Sequence, residues 1–272
     1  AGRIKLLLGK ILEAIDYFTK SIKFDETSSP TKSESYRIRG LCKLEINNFQ
    51  EGLSDIKKSL EVCPKNIESI GSLGYAKWLL DLNEEAMIAS EKALRLNPVC
   101  KMALLTRGIC RQELNQNYGA IEDLNKVLNE SLSAFGFYAR GSAKKNLFDY
   151  KGAIKDFSSA INIYPQFPWA FHHRAVSKLF IKENEEALID INKAIELDNN
   201  NGDFYYRRGF IYTYLKQEQK AKKDFLKAEE LGYRNATFVL SKKKLSMEVL
   251  FNLEDEFKTL SAEDKTENLI ER

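Results

Sequence analysis

The sequence predicts an all-α chain of about seven helical hairpins stacked into a solenoid, closed by a C-terminal capping helix. Three observations carry this. A pattern of small residues recurs every 34 residues, each unit shows the apolar spacing of a helix pair, and the small residues stand where two helices must touch.

The full units start at Ser33, Ile67, Lys101, Ala134, Pro168 and Gly202, each 34 residues long except the unit at Lys101, which has 33. Position 4 is apolar or aromatic (Tyr36, Ile70, Leu104, Phe137, Phe171, Tyr205) and position 14 is aliphatic (Ile46, Leu80, Leu114, Leu147, Ile181, Leu215), which marks a first helix and its end. Turns follow near Asn47, Asp81, Asn115, Phe148, Lys182 and Lys216. A second amphipathic stripe then begins, as in Gly152 to Tyr164. Position 8 is glycine in five units and Ala175 in the sixth, position 20 is Gly52 or alanine, and position 27 is Ser59, Val127 or alanine, so both helices offer small residues at the crossing. Pro64, Pro98 and Pro165 at position 32 stop the second helix. A truncated leading unit fits the frame through Gly2 and Ala14, with Ser29 to Lys32 as a short insertion. One hairpin cannot bury its apolar face alone, so neighbours must stack, and one continuous domain over residues 1–235 is expected.

The small residues at positions 8, 20 and 27, the aromatic at 4 and the proline at 32 resemble the tetratricopeptide repeat over about residues 1–235. Two departures stand out. The turn position that is often glycine in that family is Asn, Asp, Phe or Lys here, and position 11 is mostly Lys or Arg. The resemblance implies a right-handed superhelix that serves as a protein-binding scaffold, with positions 2, 5, 9, 12 and 13 of the first helices lining its concave groove. Some family members grip acidic chaperone tails with Lys and Asn at positions 5 and 9. Those positions read Arg37 and Leu41, Gly71 and Tyr75, Leu105 and Ile109, Tyr138 and Ser142, so no such carboxylate-clamp site is expected.

Past Asn235 the pattern changes. Phe238, Leu245, Val249 and Leu250 suit a capping helix with Lys242 to Lys244 facing water, and residues 254–272 form a charged tail with a few apolar anchors. The sequence opens at Ala1 inside a repeat, so a missing upstream segment is expected; location is expected to be cytoplasmic.

Position 7 is Arg in five units (Arg39, Arg107, Arg140, Arg174, Arg208) and position 23 is Asp in those same five (Asp55, Asp123, Asp156, Asp190, Asp224). In the unit at Ile67 both are apolar, Leu73 and Ala89. This joint change predicts an Arg–Asp tie between the two helices of a unit. The base at position 11 is a rival partner, but Lys77 remains where the Asp is lost and Tyr212 stands where Asp224 is kept, so position 7 is the expected one.

The function classes narrow by composition. Forty-two Lys plus Arg against 39 Asp plus Glu leave a net charge of +3, which disfavours a nucleic-acid grip. No apolar run reaches the length of a membrane span, and Cys42, Cys63, Cys100 and Cys110 lack metal-ligand or C-x-x-C spacing, so they are expected to be reduced helix residues. The two histidines, His172 and His173, are adjacent, and no nucleophile–base set or phosphate loop accompanies them. No catalytic residue, metal or cofactor is expected. The leading reading is therefore an adaptor for another protein or a peptide; the alternatives are a helical-repeat binder of single-stranded nucleic acid and a structural module in a larger assembly. The candidate ligand residues are Tyr138, Trp169, His172, His173, Tyr206 and Arg207, with Tyr138, His172 and Tyr206 repeating at position 5 and expected to be exposed.

Overall fold

The structure is a computed structural model and describes residues 10–128 and 133–241. These residues form fourteen α-helices and no strand. The chain divides into two compact units, residues 1–163 and 164–272.

The first unit holds α1 (Ile11–Phe24), α2 (Pro30–Glu45), α3 (Phe49–Val62), α4 (Ile67–Trp78), α5 (Asn83–Leu96), α6 (Lys101–Glu113), α7 (Asn117–Leu128), α8 (Ala134–Asn146) and α9 (Tyr150–Ile163). The second holds α10 (Pro168–Phe180), α11 (Asn184–Leu197), α12 (Gly202–Tyr214), α13 (Glu218–Glu230) and α14 (Arg234–Ser241). Each predicted unit is a helix pair. Within the first unit α4 packs on α2, α5 and α6, and α6 packs in turn on α5, α7 and α8, so each of these two first helices meets its own partner and the next first helix. That stacking buries Ile70, Leu104, Leu124 and Val127 in one core. The close crossings demand small residues: a Cβ on Gly40 would stand 2.8 Å from the Gly52 carbonyl oxygen, and one on Gly209 would stand 2.6 Å from the Phe225 ring.

The expected turns are where the backbone turns left-handed. Asn47, Asp81, Asn115, Phe148, Lys182 and Lys216 have φ between 57 and 65°. In each case the next residue's N–H donates back to the last turn of the first helix, as Asn48 N does to Lys43 O at 2.9 Å and Asp149 N to Lys144 O at 2.9 Å. This Schellman closure needs one residue at positive φ, and five of the aliphatic residues at position 14 are the C-caps before it. The four-residue insertion is the opening of α2: Ser29 caps it by accepting from Lys32 N at 3.0 Å, and Pro30 occupies its first position.

All five Arg–Asp ties are present and bidentate. Arg39 donates to Asp55 at 2.7 and 2.7 Å, Arg107 to Asp123 at 2.7 and 2.8 Å, Arg140 to Asp156 at 2.9 and 2.6 Å, Arg174 to Asp190 at 2.8 and 2.6 Å, and Arg208 to Asp224 at 2.7 and 2.8 Å. The position 11 base is a second partner of the same carboxylate rather than a rival. Lys43, Arg111, Lys144 and Lys178 lie 2.8–2.9 Å from their aspartates. Arg140 and Arg208 also reach the preceding hairpin, at Asn125 and Asn192 (both 2.8 Å), so one guanidinium joins three helices. The position 4 ring completes the seat, with Arg39 over Tyr36 and Arg208 over Tyr205.

Two of the four cysteines refine the sequence expectation. All are free thiols, but only Cys42 and Cys110 lie inside helices; Cys63 follows α3 and Cys100 precedes α6, both as cap residues. Of the predicted cap, α14 packs on α13 and buries Ala236 and Val239. Gly2, Lys242 to Lys244, Leu245, Val249, Leu250 and the 254–272 tail lie outside the described residues, as does the side chain of Phe238.

Candidate functional site

In the second unit, α10 carries Trp169, His172 and His173 and α12 carries Tyr206 and Arg207. Trp169 and His172 of α10 meet at Phe204 of α12, while Tyr206 packs elsewhere. The Trp169 ring meets Phe204 edge-on at 5.0 Å, His172 stacks on Phe204 at 5.2 Å, and Trp169 lies 5.5 and 6.1 Å from His172 and His173. His172 Nε2 is 3.3 Å from Asp203 Oδ2, and Arg207 Nε is 3.3 Å from Asp203 Oδ1. Burial opposes ionisation of Asp203, but the neighbouring Arg207 and His172 and hydrogen bonds from Tyr233 and Arg207 outweigh it and hold its carboxyl below the ordinary value. The same burial pushes the Tyr233 phenol up to about 12.

The expected exposure of the position 5 residues is corrected here. His172 and Tyr206 are each only 2% exposed. Tyr206 is enclosed by Phe210, Phe225 and Tyr233 at ring distances of 4.7, 5.8 and 4.9 Å, because the segment leading into α14 lies over it. What reaches the surface is Trp169, 38% exposed, with His173 and Arg207 half-buried beside it. Arg207 sits over the Tyr206 ring at 5.6 Å.

In the first unit Tyr138 is half-buried, and burial pushes its phenol well above the ordinary tyrosine range. It stands on α8 beside Phe157 at 5.9 Å. A second group on this side was not singled out from sequence. Tyr75 and Trp78 of α4 lie 5.7 Å apart, and Trp78 meets Phe135 of α8 edge-on at 5.7 Å. Trp78 Nε1 donates to Glu113 Oε1 of α6 at 3.0 Å, so the row spans three successive first helices. Phe135 is 37% exposed. The signal was available: these residues hold positions 9, 12, 13 and 2, all expected to line the groove, and Phe135 shares position 2 with Trp169, but a choice centred on the residues repeated at position 5 passes over them.

Among the described residues no cluster of His, Cys, Asp and Glu could hold a metal ion, and no helix is long and apolar enough to cross a membrane. Arg37, the basic residue at the first unit's position 5, is engaged by Glu34 on its own helix through two 2.8 Å hydrogen bonds.

Comparison with known proteins agrees with this architecture. The profile of the tetratricopeptide repeat matches residues 67–100, 136–167 and 202–231. Human tetratricopeptide repeat protein 6 is 24% identical over 177 residues, covering 61% of this chain and 33% of its own length, so the chain spans about a third of that relative. Among solved structures, the APC/C hetero-tetramer Cut9–Hcn1 superposes with a TM-score of 0.64 at 15% identity, over 85% of this chain and 46% of that one. YrrB, described as a tetratricopeptide-repeat protein with an unusual peptide-binding site, gives 0.54 at 20% identity over 65% and 91%. The repeat period, the helix pairs with their small-residue crossings and these matches together identify tetratricopeptide repeats at residues 67–100, 136–167 and 202–231 and make the chain similar to tetratricopeptide-repeat proteins.

Proposed function

We propose that this chain is a scaffold whose first-helix faces hold an extended or helical segment of another protein. The observation that carries the reading is the aromatic row Tyr75, Trp78 and Phe135, fixed across α4, α6 and α8 by ring contacts and by the Trp78–Glu113 hydrogen bond. Rings already held in place lose little freedom when a partner arrives, and a tryptophan beside a carboxylate offers both apolar area and a polar edge. In the second unit Trp169, His173 and Arg207 are the contact residues, and His172 and Tyr206 form the packed floor beneath them. Tyr138 stands one turn from Phe135 on α8, near Glu113. The peptide-binding site of YrrB and the Cut9–Hcn1 assembly belong to those proteins, and they favour a polypeptide partner here.

A photo-cross-linking amino acid placed at Phe135 should capture a partner polypeptide in cells, while one at Tyr118, 80% exposed on the second helix α7, should not. With the captured partner purified, Trp78→Ala together with Phe135→Ala should weaken binding by about 1 kcal/mol or more per ring with helical content unchanged. Equal capture from both positions, or unchanged affinity, contradicts the reading.

A further inference from the structure

The hairpin of α4 and α5 is the one full unit whose sequence lacks the Arg–Asp tie, and a cleft of about 390 Å³ opens there. Elsewhere a guanidinium and a carboxylate fill the space between the paired helices. Here Leu73 and Ala89 stand in their places, and the walls are Leu60 of α3, Ile70 and Leu73 of α4, and Ile88 and Ala89 of α5. Ala89 is buried and Ile88 is 63% exposed, so the cleft has an apolar floor and an apolar lip open to solvent. Its size is in the range of ligand pockets, and its lining comes from α3, α4 and α5 and includes no residue of the aromatic row.

The polar rim decides what fits. Lys77 and Glu85 satisfy each other at 2.9 Å. Lys92 also lines the cleft, is exposed, and makes no ion pair among the described residues. The unbalanced charge at the mouth is therefore positive. We propose that this cleft binds one large apolar side chain of a partner peptide that carries acidic residues beside it, the apolar group resting between Leu60, Leu73 and Ile88 and a carboxylate meeting Lys92. The loss of the tie turns a structural joint into a receptor in this unit. This site is independent of the first-helix reading.

The test is fluorescence anisotropy with two labelled hexapeptides, Glu-Glu-Leu-Trp-Glu-Glu and its Lys-flanked counterpart, on the full chain. The acidic probe should bind and the basic probe should bind at least about ten-fold more weakly. Leu73→Arg with Ala89→Asp rebuilds the tie found in the other units and should abolish binding while the helical signal is retained. Should that variant misfold, Lys92→Glu, a surface change, should still cost the acidic probe several-fold in affinity and favour the basic one. Tyr118→Ala should bind as the parent chain does. Equal binding of both probes, or binding untouched by Leu73→Arg with Ala89→Asp, overturns the proposal. So does concentration-dependent self-association that the same variant removes, which would make the occupant a second copy. Binding seen only after deletion of residues 254–272 would overturn it as well, by assigning the cleft to the chain's own tail.

Discussion

Phe148 shows how one residue can be set by the backbone rather than by packing. It is 71% exposed and has φ 64°, a conformation that costs a residue with a Cβ about 1–2 kcal/mol. Glycine avoids that cost at the end of a helix, although it also gains freedom in the unfolded chain. Phe148→Gly should therefore stabilise the protein by up to about 1 kcal/mol, read as a higher urea midpoint with an unchanged slope. A lower midpoint would mean that the ring contact of Phe148 with Tyr150 outweighs the backbone gain. All six turn positions were legible in the sequence because the repeat frame fixes them, even where the residue is one that turn chemistry alone would not choose. Exposure at position 5 was not legible. Tyr206 occupies the same register as Tyr138, and each has a position 24 phenylalanine beside it, Phe225 and Phe157, but Tyr206 is also covered by Phe210 and Tyr233, residues whose positions the repeat does not fix as aromatic.

At the scale of a helix pair, the Arg–Asp tie acts as a joint. Burial opposes ionisation of Asp55, but hydrogen bonds from Arg39 and Lys43 and their charges outweigh it, so its carboxyl lies below the ordinary value. A lowered folded value means stability that is fully present above the unfolded value of about 3.9 and is lost as pH falls through the folded one. Asp55→Ala leaves Arg39 without its carboxylate and should cost about 3–5 kcal/mol near neutral pH, whereas Arg39→Leu with Asp55→Ala should cost clearly less, since an apolar pair needs no counter-charge. Leu73 and Ala89 already use that apolar solution. In urea titrations the gap between the parent and Asp55→Ala should close as pH drops below about 4. A double variant as costly as the single, or a gap constant with pH, would remove the tie from the list of stabilising contacts. The joint was legible because five units keep it and one drops both halves together. The part played by Lys43 and its equivalents was only half legible: Lys77 without an aspartate argued against position 11, but Lys77 has Glu85 as a local partner instead.

For the molecule as a whole, near-neutral charge, paired helices and repeated crossings fit the contact role proposed above. The fold was almost fully legible, since a 34-residue period constrains every helix at once. The contact residues were less so, because rings such as Trp78 and Phe135 meet through stacking of separate repeats and share no position in the frame. The most direct measurement of the central claim is hydroxyl-radical footprinting of the full chain alone and with its captured partner. Oxidation of Trp78, Phe135 and Trp169 should fall in the complex while Tyr118 stays as reactive as in the free chain; unchanged oxidation of all three rings in a saturated complex would contradict the first-helix binding face.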